Sequence, residues 1–572
     1  MLSLLERKIE KRPSQILLTG RILFLTEDPK LISQQLAGKE LEWDPNRPER
    51  NPQLRDGLTT GEIVPADICF FDETLGEFAF TGLKCRGESP VRRGDIKRGG
   101  FVATVSGQRC GHGLCREQTP YAERAAGIQL VIAESFERIY QQNCQDLGLL
   151  TSTNFDLIRM IRRGQAIPLC EFTECEDEIT RQIIEYGGLF PFSVARLQKK
   201  IFLPPITTRR RPMTLAEKIF ARHMIDEHGR DGVPAVKPGD AGFVRSITRL
   251  SPEYALPPVA VFSEHYLGKE APGSELDAGS WFPKDVRVKV PESVKVVVRG
   301  RRRPNVTVHD FLLRILSLDY VRRGKAWSKV VEFTGKAIEA LSVEERLTLT
   351  SMAAEIGGLT ALVAPDRETV TFLEKRRGMS RKAAEDMIAG LTSDPHAQYA
   401  HILELDAAEI WPMVSPPGDP GNGKLVRDLT MRVPVEVAHS GACTAQDIDL
   451  YAQVLAEALG RNRRLPLACR FYIQLGSQEI RDYCAGKGYL QIFYKAGVTV
   501  MEPDDGASGF AAPAGVPPSN QGMMSVPSRN FPRCGGPGQM YLASPFTVAA
   551  SAVAGCIVEC EPADVRQIAK AA

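Results

Sequence analysis

Residues 110–117 contain the side chains whose types and spacing best suit chemistry. Cys115 is followed directly by Arg116 and lies three residues after His112. A positively charged neighbour lowers the pKa of a thiol, and a thiolate acts as a base or as a nucleophile. The spacing therefore predicts a catalytic role for Cys115, with assistance from His112. The alternative is that Cys115 only fills space beside a loop.

The elements that must position this segment alternate in type along the chain. Strand-like apolar runs cover residues 68–71, 100–105 and 129–133, and helix-like runs cover residues 120–126 and 134–144. Alternation of strands and helices is typical of an α/β layer fold. We therefore predict the α/β class, with sheets that are mainly parallel.

Further elements are predicted after a Pro- and Arg-rich linker at residues 203–212. Thr214 with Glu217 three residues later is a capping pattern, which predicts a helix over residues 213–223. Strands are expected at residues 473–477 and 497–501. A segment rich in Gly, Ala, Pro and Ser, residues 506–527, is expected to be a loop.

The composition limits the classes of function. The chain has 572 residues, of which 43% are apolar and 25% charged, and this balance is typical of a globular protein of three or four domains. A net charge of +2 gives no general basis for binding nucleic acid or an anionic membrane. The arginine runs at residues 209–211 and 299–303 are expected to be solvated loop charges.

No secretory leader and no apolar run long enough to span a membrane are recognised in the sequence. The thirteen cysteines are therefore expected to be reduced thiols, and the predicted location is the cytoplasm.

Two sets of motifs resemble the aconitase and isopropylmalate dehydratase superfamily. Residues 110–120, CGHGLCREQTP, are similar to the substrate loop C-G-S-S-R-E-x-A/S-P of the small "swivel" domain of that family. Residues 327–338, 347–358, 528–531 and 542–555 are similar to segments of its large subunit, including the closing S-x-R-N-F motif. The resemblance extends from about residue 59 to residue 555.

The resemblance implies a multi-domain α/β/α architecture with an N-terminal swivelling α/β domain. The domain bounds that it implies are a swivel domain at 1–202, a linker at 203–212, a large-subunit-like region shortened at its start at 213–430, and a C-terminal domain matching the cluster-ligand domain at 431–572.

The family uses a [4Fe–4S] cluster held by three thiolates, with one open iron that acts as a Lewis acid. Cys443 matches the first ligand, in the G-x-C-T turn, but residues 503–510 stand where the other two are expected and contain no cysteine. An ordinary [4Fe–4S] cluster is therefore not expected, and we predict that the chain binds no cofactor. The alternatives are a mononuclear metal held by Asp504, Asp505 and a thiol, or a cluster rebuilt from other cysteines.

The serine base of the family is also replaced. Leu114 stands at its position and Cys115 at that of the second serine. The resemblance assigns carboxylate binding to Arg116, Arg529 and Arg533, with Ser528 in the same S-x-R-N-F motif.

A second group of the family pocket is retained. Glu355 matches the glutamate of an A-E-I-G motif and is predicted to be catalytic. It joins Cys115 and His112 as the predicted catalytic set.

The predicted function is that of a divergent lyase or isomerase. It would hydrate or dehydrate a small hydroxy-di- or tricarboxylate. The alternatives are a transferase, hydrolase or cyclase that depends on Cys115, and a carboxylate-binding protein without catalysis. The predicted partner is the carboxylate substrate. No binding to nucleic acid or to a membrane is expected, and the chain is expected to be a monomer or a homo-oligomer.

Overall fold

The computed structural model describes residues 8–44, 47–65, 68, 74–112, 118–245, 285–502, 522–525 and 539–561. The chain divides into two compact units, the first from residues 1–208, 220–234 and 240–289, and the second from residues 209–219, 235–239 and 290–572. The domain bounds predicted from the sequence stay a prediction.

The first unit is built on eight strands and eight helices among the described residues. The strands are β1 (Gln15–Ile16), β2 (Arg21–Phe24), β3 (Phe101–Ser106), β4 (Leu130–Ala133), β5 (Leu150–Ser152), β6 (Ile167–Pro168), β7 (Ala241–Arg245) and β8 (Asp285–Lys289). The helices are α1 (Pro29–Leu36), α2 (Thr60–Ile63), α3 (Asp95–Gly99), α4 (Gln118–Ala125), α5 (Arg138–Leu147), α6 (Asp156–Arg162), α7 (Glu178–Tyr186) and α8 (Leu189–Leu197). A ninth helix, α9 (Leu215–His223), contributes residues to both units.

A four-stranded parallel sheet in the order β2-β3-β4-β5 forms the centre of the first unit. All residues of β3 and β4 are buried, because helices cover both faces of a parallel sheet. Side chains alternate between two cores: Val131 and Ala133 pack on one face of β4, and Leu130 and Ile132 on the other. The strands predicted at 100–105 and 129–133 are confirmed, whereas residues 69–71 of the third predicted run lie outside the described residues.

The second unit contains eleven strands and eleven helices among its described residues. The strands are β9 (Ser293–Arg299), β10 (Val330–Thr334), β11 (Thr360–Val363), β12 (His401–Asp406), β13 (Met413–Ser415), β14 (Lys424–Leu425), β15 (Val437–Cys443), β16 (Arg470–Leu475), β17 (Thr499–Met501), β18 (Gly522–Ser525) and β19 (Gln539–Ala543). The helices are α10 (Val308–Leu316), α11 (Asp319–Arg322), α12 (Lys336–Glu339), α13 (Val343–Ser351), α14 (Ala353–Ile356), α15 (Arg367–Arg377), α16 (Arg381–Ile388), α17 (Ala445–Gly460), α18 (Gln478–Gly486), α19 (Tyr489–Ala496) and α20 (Pro545–Ala554).

Two sheets organise these elements. The smaller is parallel, in the order β11-β10-β9-β12. The larger has seven strands in the order β14-β13-β19-β18-β15-β16-β17, and its last five strands are parallel. Parallel sheets covered by helices in both units confirm the predicted α/β class.

Strand β18 corrects the prediction of a loop over residues 506–527. Residues 522–525 pair with β15 on one side and with β19 on the other, and the Met524 side chain is fully buried. The loop prediction rested on composition, but tertiary pairing on both edges of a strand overrides weak local preference. Residues 506–521 and 526–527 lie outside the described residues.

The capping prediction at Thr214 is confirmed. The Thr214 amide donates to Glu217 Oε2 at 2.8 Å, and the Glu217 amide donates to Thr214 Oγ1 at 3.3 Å. Each side chain therefore satisfies one free amide at the start of α9.

The expectation that both arginine runs are solvated is wrong for some of their members. Arg211 forms an ion pair at 2.8 Å with Glu217, whose side chain is 1% exposed. The Arg303 guanidinium lies 3.5 Å from the ring centroid of Trp411. A planar guanidinium both donates several hydrogen bonds and stacks on an aromatic ring, so arginine is readily held at partly buried positions.

Among the described residues, no helix has the length and apolar content needed to cross a membrane.

Candidate active site

The loop that carries His112 leaves the carboxyl edge of the sheet in the first unit, directly after β3. Its first residue is fixed by two backbone hydrogen bonds. The Gly107 amide donates to the Arg55 carbonyl at 3.0 Å, and the Gly107 carbonyl accepts from the Glu134 amide at 3.1 Å. Carboxyl edges of parallel strands are where ligands bind in α/β folds, so this loop starts at a suitable place for a site.

Cys110, the first residue of the loop motif, is a structural thiol. Its amide donates to the Ser135 carbonyl and its carbonyl accepts from the Glu137 amide, both at 2.9 Å. The residue is 1% exposed, and burial raises the pKa of the thiol to about 12. A neutral, enclosed thiol is inert, so Cys110 supports the loop rather than reacting.

The backbone of His112 is held by the segment that precedes α2. Its amide donates to the Leu58 carbonyl at 3.1 Å, and its carbonyl accepts from the Thr60 amide at 2.9 Å. The imidazole lies against Gly57, because a Cβ atom on that residue would be 3.5 Å from Nε2 of the ring. The position of His112 is therefore defined by contacts on both its main chain and its side chain.

The surroundings of His112 favour the neutral imidazole. Burial lowers its pKa below the ordinary 6.5, and the positive charge of Arg109 lowers it further, while Glu137 opposes the shift. A neutral imidazole at pH 7 accepts a proton, so His112 has the protonation state that a base needs.

Arg55 and Glu62 brace this loop and were not singled out in the sequence. Arg55 forms ion pairs with Glu62 at 2.9 Å and with Glu27 at 2.8 Å. Glu62 also accepts from the Thr59 amide at 3.0 Å, which completes a capping box at the start of α2. Burial disfavours the Arg55 charge, but the hydrogen bonds with Glu62 and Glu27 outweigh it and raise the Arg55 pKa. The pattern Thr59-x-x-Glu62 is the signal that predicts the box.

In the second unit, Cys443 is the last residue of β15, and Thr444 caps the helix that follows. The Thr444 amide donates to Asp447 Oδ2 at 3.0 Å, and the Asp447 amide donates to Thr444 Oγ1 at 3.2 Å. Cys443 thus occupies a sharp turn from a parallel strand into α17.

This turn lies at the point where the strand order of the seven-stranded sheet reverses. From β15 the chain proceeds outward to β16 and β17, and it then returns to β18 on the opposite side of β15. The register pairs Ser525, the last residue of β18, with His439 of β15. Crevices form at such reversal points, outside the carboxyl ends of the strands, and are the usual ligand sites of open α/β sheets.

Three predicted binding residues follow β18 closely. Ser528, Arg529 and Arg533 come three, four and eight residues after Ser525 and lie outside the described residues. The strand that leads into them ends beside β15, which leads into Cys443.

Two buried polar side chains on β15 and β16 were missed in the sequence. His439 is 6% exposed, and burial lowers its pKa to about 4, so it is neutral. Gln474 is 5% exposed, and its Oε1 atom has no hydrogen-bond partner among the described residues. Polar residues are unusual in strands that are buried on both faces, and that contrast is the signal that identifies them.

Glu355 lies on the short helix α14, just before a tight turn at Gly357. Gly357 has a φ of +83°, and a Cβ atom there would be 2.0 Å from the Trp327 ring. The Gly357 carbonyl accepts from the Ser328 amide at 2.9 Å. The turn therefore requires glycine, and it fixes the end of the helix that bears Glu355.

A hydrogen bond connects the helices near Glu355 and Cys443. Ser342, which caps α13, donates to Gln446 in the first turn of α17 at 2.9 Å. The bond joins the amino ends of α13 and α17, whereas Glu355 lies beyond the carboxyl end of α13. His112 belongs to the first unit, and Cys115 and Arg116 lie outside the described residues.

Three described cysteines of the second unit are poor candidates for cluster ligands. Cys469, Cys484 and Cys560 are packed in a hydrophobic core, and burial raises the pKa values of Cys469 and Cys484 to about 11. Cluster ligands are thiolates, so neutral thiols packed among apolar side chains are poor candidates. Over the described part of the chain, no three His, Cys, Asp or Glu side chains form a group that could hold a metal ion.

Comparison with known families matches both units. The Aconitase family model (aconitate hydratase) matches residues 273–431 and 423–555, and the Aconitase C-terminal domain model matches residues 95–154. The second match contains β3, His112 and β4, whereas the first contains Glu355 and Cys443.

Curated relatives of this chain belong to the same family. This chain is 33% identical over 279 residues to the 3-isopropylmalate dehydratase large subunit of Desulfosudis oleivorans, covering 47% of this chain and 62% of that protein. It is 31% identical over 278 residues to the large subunit of Aquifex aeolicus, covering 48% and 62%. The chain thus spans less than two thirds of the length of these relatives.

A solved structure is also similar in sequence. The crystal structure of 3-isopropylmalate dehydratase (leuD) from Methanocaldococcus jannaschii is 23% identical and covers 25% of this chain and 92% of its own. Its TM-score is 0.19, so this similarity supports no conclusion.

Proposed function

Because this chain belongs to the aconitase and isopropylmalate dehydratase superfamily, we propose that it is a lyase- or isomerase-type enzyme for a small hydroxy-di- or tricarboxylate. We propose further that it works without an ordinary [4Fe–4S] cluster. The relatives are dehydratases by name, and substrate and reaction are proposals for this chain.

One observation carries the proposal: the pairing of β18 with β15 at the reversal point of the large sheet. β18 ends beside β15, and Arg529 and Arg533 follow it in the sequence, outside the described residues. Guanidinium groups bind carboxylates through paired, charge-assisted hydrogen bonds. A carboxylate is therefore the ligand that best suits this edge.

The proposed acid–base groups are the three catalytic residues predicted from the sequence. His112 is neutral and accepts a proton at pH 7, and Cys115 stands three residues later, next to Arg116. In this proposal Arg116, Arg529, Arg533 and Ser528 bind the carboxylates, while Cys115, His112 and Glu355 move protons. No step in this scheme depends on a metal.

Loss of the iron restricts the substrate. A hydroxyl group is a poor leaving group, and a Lewis acid contributes several kcal/mol to its departure. We therefore propose a substrate whose proton is unusually acidic or whose leaving group is better than hydroxide. A decarboxylation or a cyclisation would meet the same condition.

A second candidate function uses Cys115 as a nucleophile in acyl or alkyl transfer. The neutral imidazole of His112 favours it, since a nearby base activates a thiol. Mass spectrometry of the protein during turnover separates the candidates: a covalent adduct of the substrate on Cys115 favours the second, whereas turnover without an adduct favours the first.

The quaternary arrangement is also proposed. The two domain types are joined in one chain, since the Aconitase and Aconitase C-terminal models match separate parts of it. We propose that the chain acts as a monomer or homo-oligomer without a separate small subunit, and without nucleic acid or a membrane. The cytoplasmic location stays a prediction.

Calorimetric titration with citrate and 3-isopropylmalate tests the proposal. Arg529→Ala should weaken binding at least about tenfold, because one charge-assisted pair is lost. Arg323→Ala is the matched control, since Arg323 forms an exposed ion pair with Asp319 in the same unit. Absence of binding by the unaltered chain, or equal binding by Arg529→Ala, would overturn the proposal.

A further inference from the structure

A cavity of the first unit lies between α6 and residues 43–44, and its volume is about 340 Å³. One face of the helix lines it, because Phe155, Ile158, Arg159 and Arg162 recur at the spacing of three and four residues that places side chains on one side of a helix. Ligand pockets in proteins range from about 300 to 1,000 Å³, so this cavity has room for a small ligand with a single ring.

The inner part of the cavity is apolar. Ile158 is 2% exposed, and the partly buried rings of Trp43 and Phe155 pack against the hydrophobic core to which it belongs. The Trp43 ring stacks on the rings of Phe24 and Phe155, with centroid distances of 5.4 Å and 5.7 Å. Stacked rings hold one another in place, so the apolar floor is formed before any ligand binds.

Trp43 also brings a hydrogen-bond donor to this place. Its indole nitrogen is enclosed and has no hydrogen-bond acceptor among the residues that the structure describes. An enclosed indole N–H is usually paired with an acceptor. Since Trp43 lines the cavity, an oxygen atom of a bound ligand is a suitable acceptor for this donor.

The outer part of the cavity is positively charged. Three exposed arginines and Asp44 line it, which gives a net charge of three minus one, or +2. One of the arginines, Arg162, is held in place: it donates to the Leu41 carbonyl, and its guanidinium lies 5.5 Å from the centroid of the Phe24 ring.

The other two guanidinium groups are accessible to a ligand. Arg163 is exposed and forms no ion pair within the described part of the chain. Arg159 pairs with Asp156 at 3.2 Å, but these side chains are 50% and 58% exposed, and an exposed pair of this kind is weak. An anion can therefore bind at Arg163 and compete for Arg159.

The carboxyl end of α6 does not oppose an anion strongly. Free carbonyl groups at a helix end carry partial negative charge. Here the carbonyls of Arg159, Met160 and Ile161 accept from the amides of residues 163, 165 and 164, at distances of 2.9–3.1 Å. Because these carbonyls are already hydrogen-bonded, the charges of the arginines dominate the outer part of the cavity.

We propose that this cavity binds a small organic anion with one ring, whose ring packs on the apolar floor and whose carboxylate or phosphate group is bound by Arg159 and Arg163. Guanidinium groups bind both kinds of oxyanion through charge-assisted hydrogen bonds. All the lining residues lie outside the ranges that the two family models match, and none belongs to the predicted catalytic or substrate-binding set. The inference therefore does not rest on the proposed function.

Calorimetric titration of the full chain with phenyl phosphate and with benzoate tests the proposal, and the tighter of the two identifies the anionic group. At least one should bind with a Kd below about 1 mM. Inorganic phosphate lacks the ring and benzyl alcohol lacks the charge, so each should bind at least about tenfold more weakly. Binding of neither probe below about 1 mM, or equal binding of phenyl phosphate and inorganic phosphate, would overturn the proposal.

Two variants with opposite expected effects locate the site. Arg163→Ala should weaken binding of the tighter probe about five- to tenfold, and it leaves the main-chain cap of α6 in place. Asp44→Asn removes the negative charge of the lining and should strengthen binding about two- to fivefold. Arg92→Ala is the control, since Arg92 is exposed in the same unit and should bind the probe like the unaltered chain. Equal affinity in all three variants would exclude this cavity.

The same variants separate this site from the proposed carboxylate site. Citrate and 3-isopropylmalate have no ring, so Arg163→Ala should leave their binding unchanged. If the ring-bearing probe binds and these two do not, the proposed function fails and the cavity site stands. If these two bind and neither ring-bearing probe does, the cavity site fails alone.

Discussion

Ser525 pairs with His439 across β18 and β15, at the place where the strand order of the large sheet reverses. The described part of β18 therefore ends beside β15, the strand whose last residue is Cys443. The carboxylate site proposed above is assigned to this edge of the sheet, because open α/β sheets usually bind ligands where their strand order reverses.

The first prediction concerns β18 itself. Met524 is fully buried between β15 and β19, so Met524→Ala should lower the free energy of unfolding by about 2–4 kcal/mol. Met431→Ala is the control, because Met431 is 76% exposed and should change stability by less than about 0.5 kcal/mol. Urea denaturation measures both. Equal stability of the two variants would contradict the central placement of β18.

The second prediction concerns Gly111, in the loop that follows β3. Gly111→Ala forces a Cβ atom against the Tyr140 ring at a left-handed φ, and should destabilise the chain by about 3 kcal/mol or more. Gly164→Ala shares the left-handed φ, of +61°, but meets no atom within 4 Å, and should cost about 1 kcal/mol. The difference between the two variants in thermal denaturation gives the loss of stability that is caused by the clash with the Tyr140 ring. Equal melting temperatures would refute the close contact.

The third prediction concerns pH and catalysis. Burial lowers the pKa of His112 below 6.5, so a reaction that needs the neutral imidazole should persist below that pH. The acid limb of the kcat/KM profile should therefore have its midpoint under pH 6.5, and it should disappear or move in His112→Gln. His228→Gln, at an exposed position in the same unit, should leave the profile unchanged. An unaltered acid limb in His112→Gln would exclude this residue as the base.

The fourth prediction concerns pH and stability. The pKa of Glu123 is raised from 4.5 to about 8, so between these values the folded chain keeps a proton that the unfolded chain has released. Stability from this group is complete at low pH and is lost as pH rises towards 8, on the order of 1 kcal/mol per pH unit.

Glu123→Gln should remove this dependence, and the control Glu385→Gln, at an exposed site on α16, should retain it. Urea denaturation from pH 5 to pH 8 measures the slope. The same slope in Glu123→Gln and in the unaltered chain would show that Glu123 does not carry it.

The parallel sheets and the capped helices were predictable because their signals are local. Residues 101–106 are mainly apolar, residues 130–133 are entirely apolar, and Thr214 with Glu217 is a complete capping pattern. β18 was not predictable, since its four residues lie in a Gly- and Pro-rich segment and obtain their order from strands far away in the chain. Non-local pairing leaves little trace in local composition.

The candidate site residues were chosen from local motifs for the same reason. Motif resemblance singled out His112, Glu355 and Cys443 as candidates. It did not identify Arg55, because the structural role of that side chain depends on ion pairs with Glu27 and Glu62, which lie 28 and 7 residues away in the sequence. Tyr140 and Glu123 lie outside the loop motif, and only folding brings the Tyr140 ring against Gly111 and its hydroxyl to Glu123. The functional roles of all the predicted site residues stay predictions: His112, Cys115, Arg116, Glu355, Cys443, Ser528, Arg529 and Arg533.

The central claim is that a carboxylate-binding site was kept while its iron–sulfur cluster was lost. Iron and acid-labile sulfide analysis of anaerobically purified and reconstituted protein tests it most directly. The account predicts less than about one iron per chain and no absorbance band near about 400 nm. About four irons and four sulfides per chain, lost in Cys443→Ser, would contradict it.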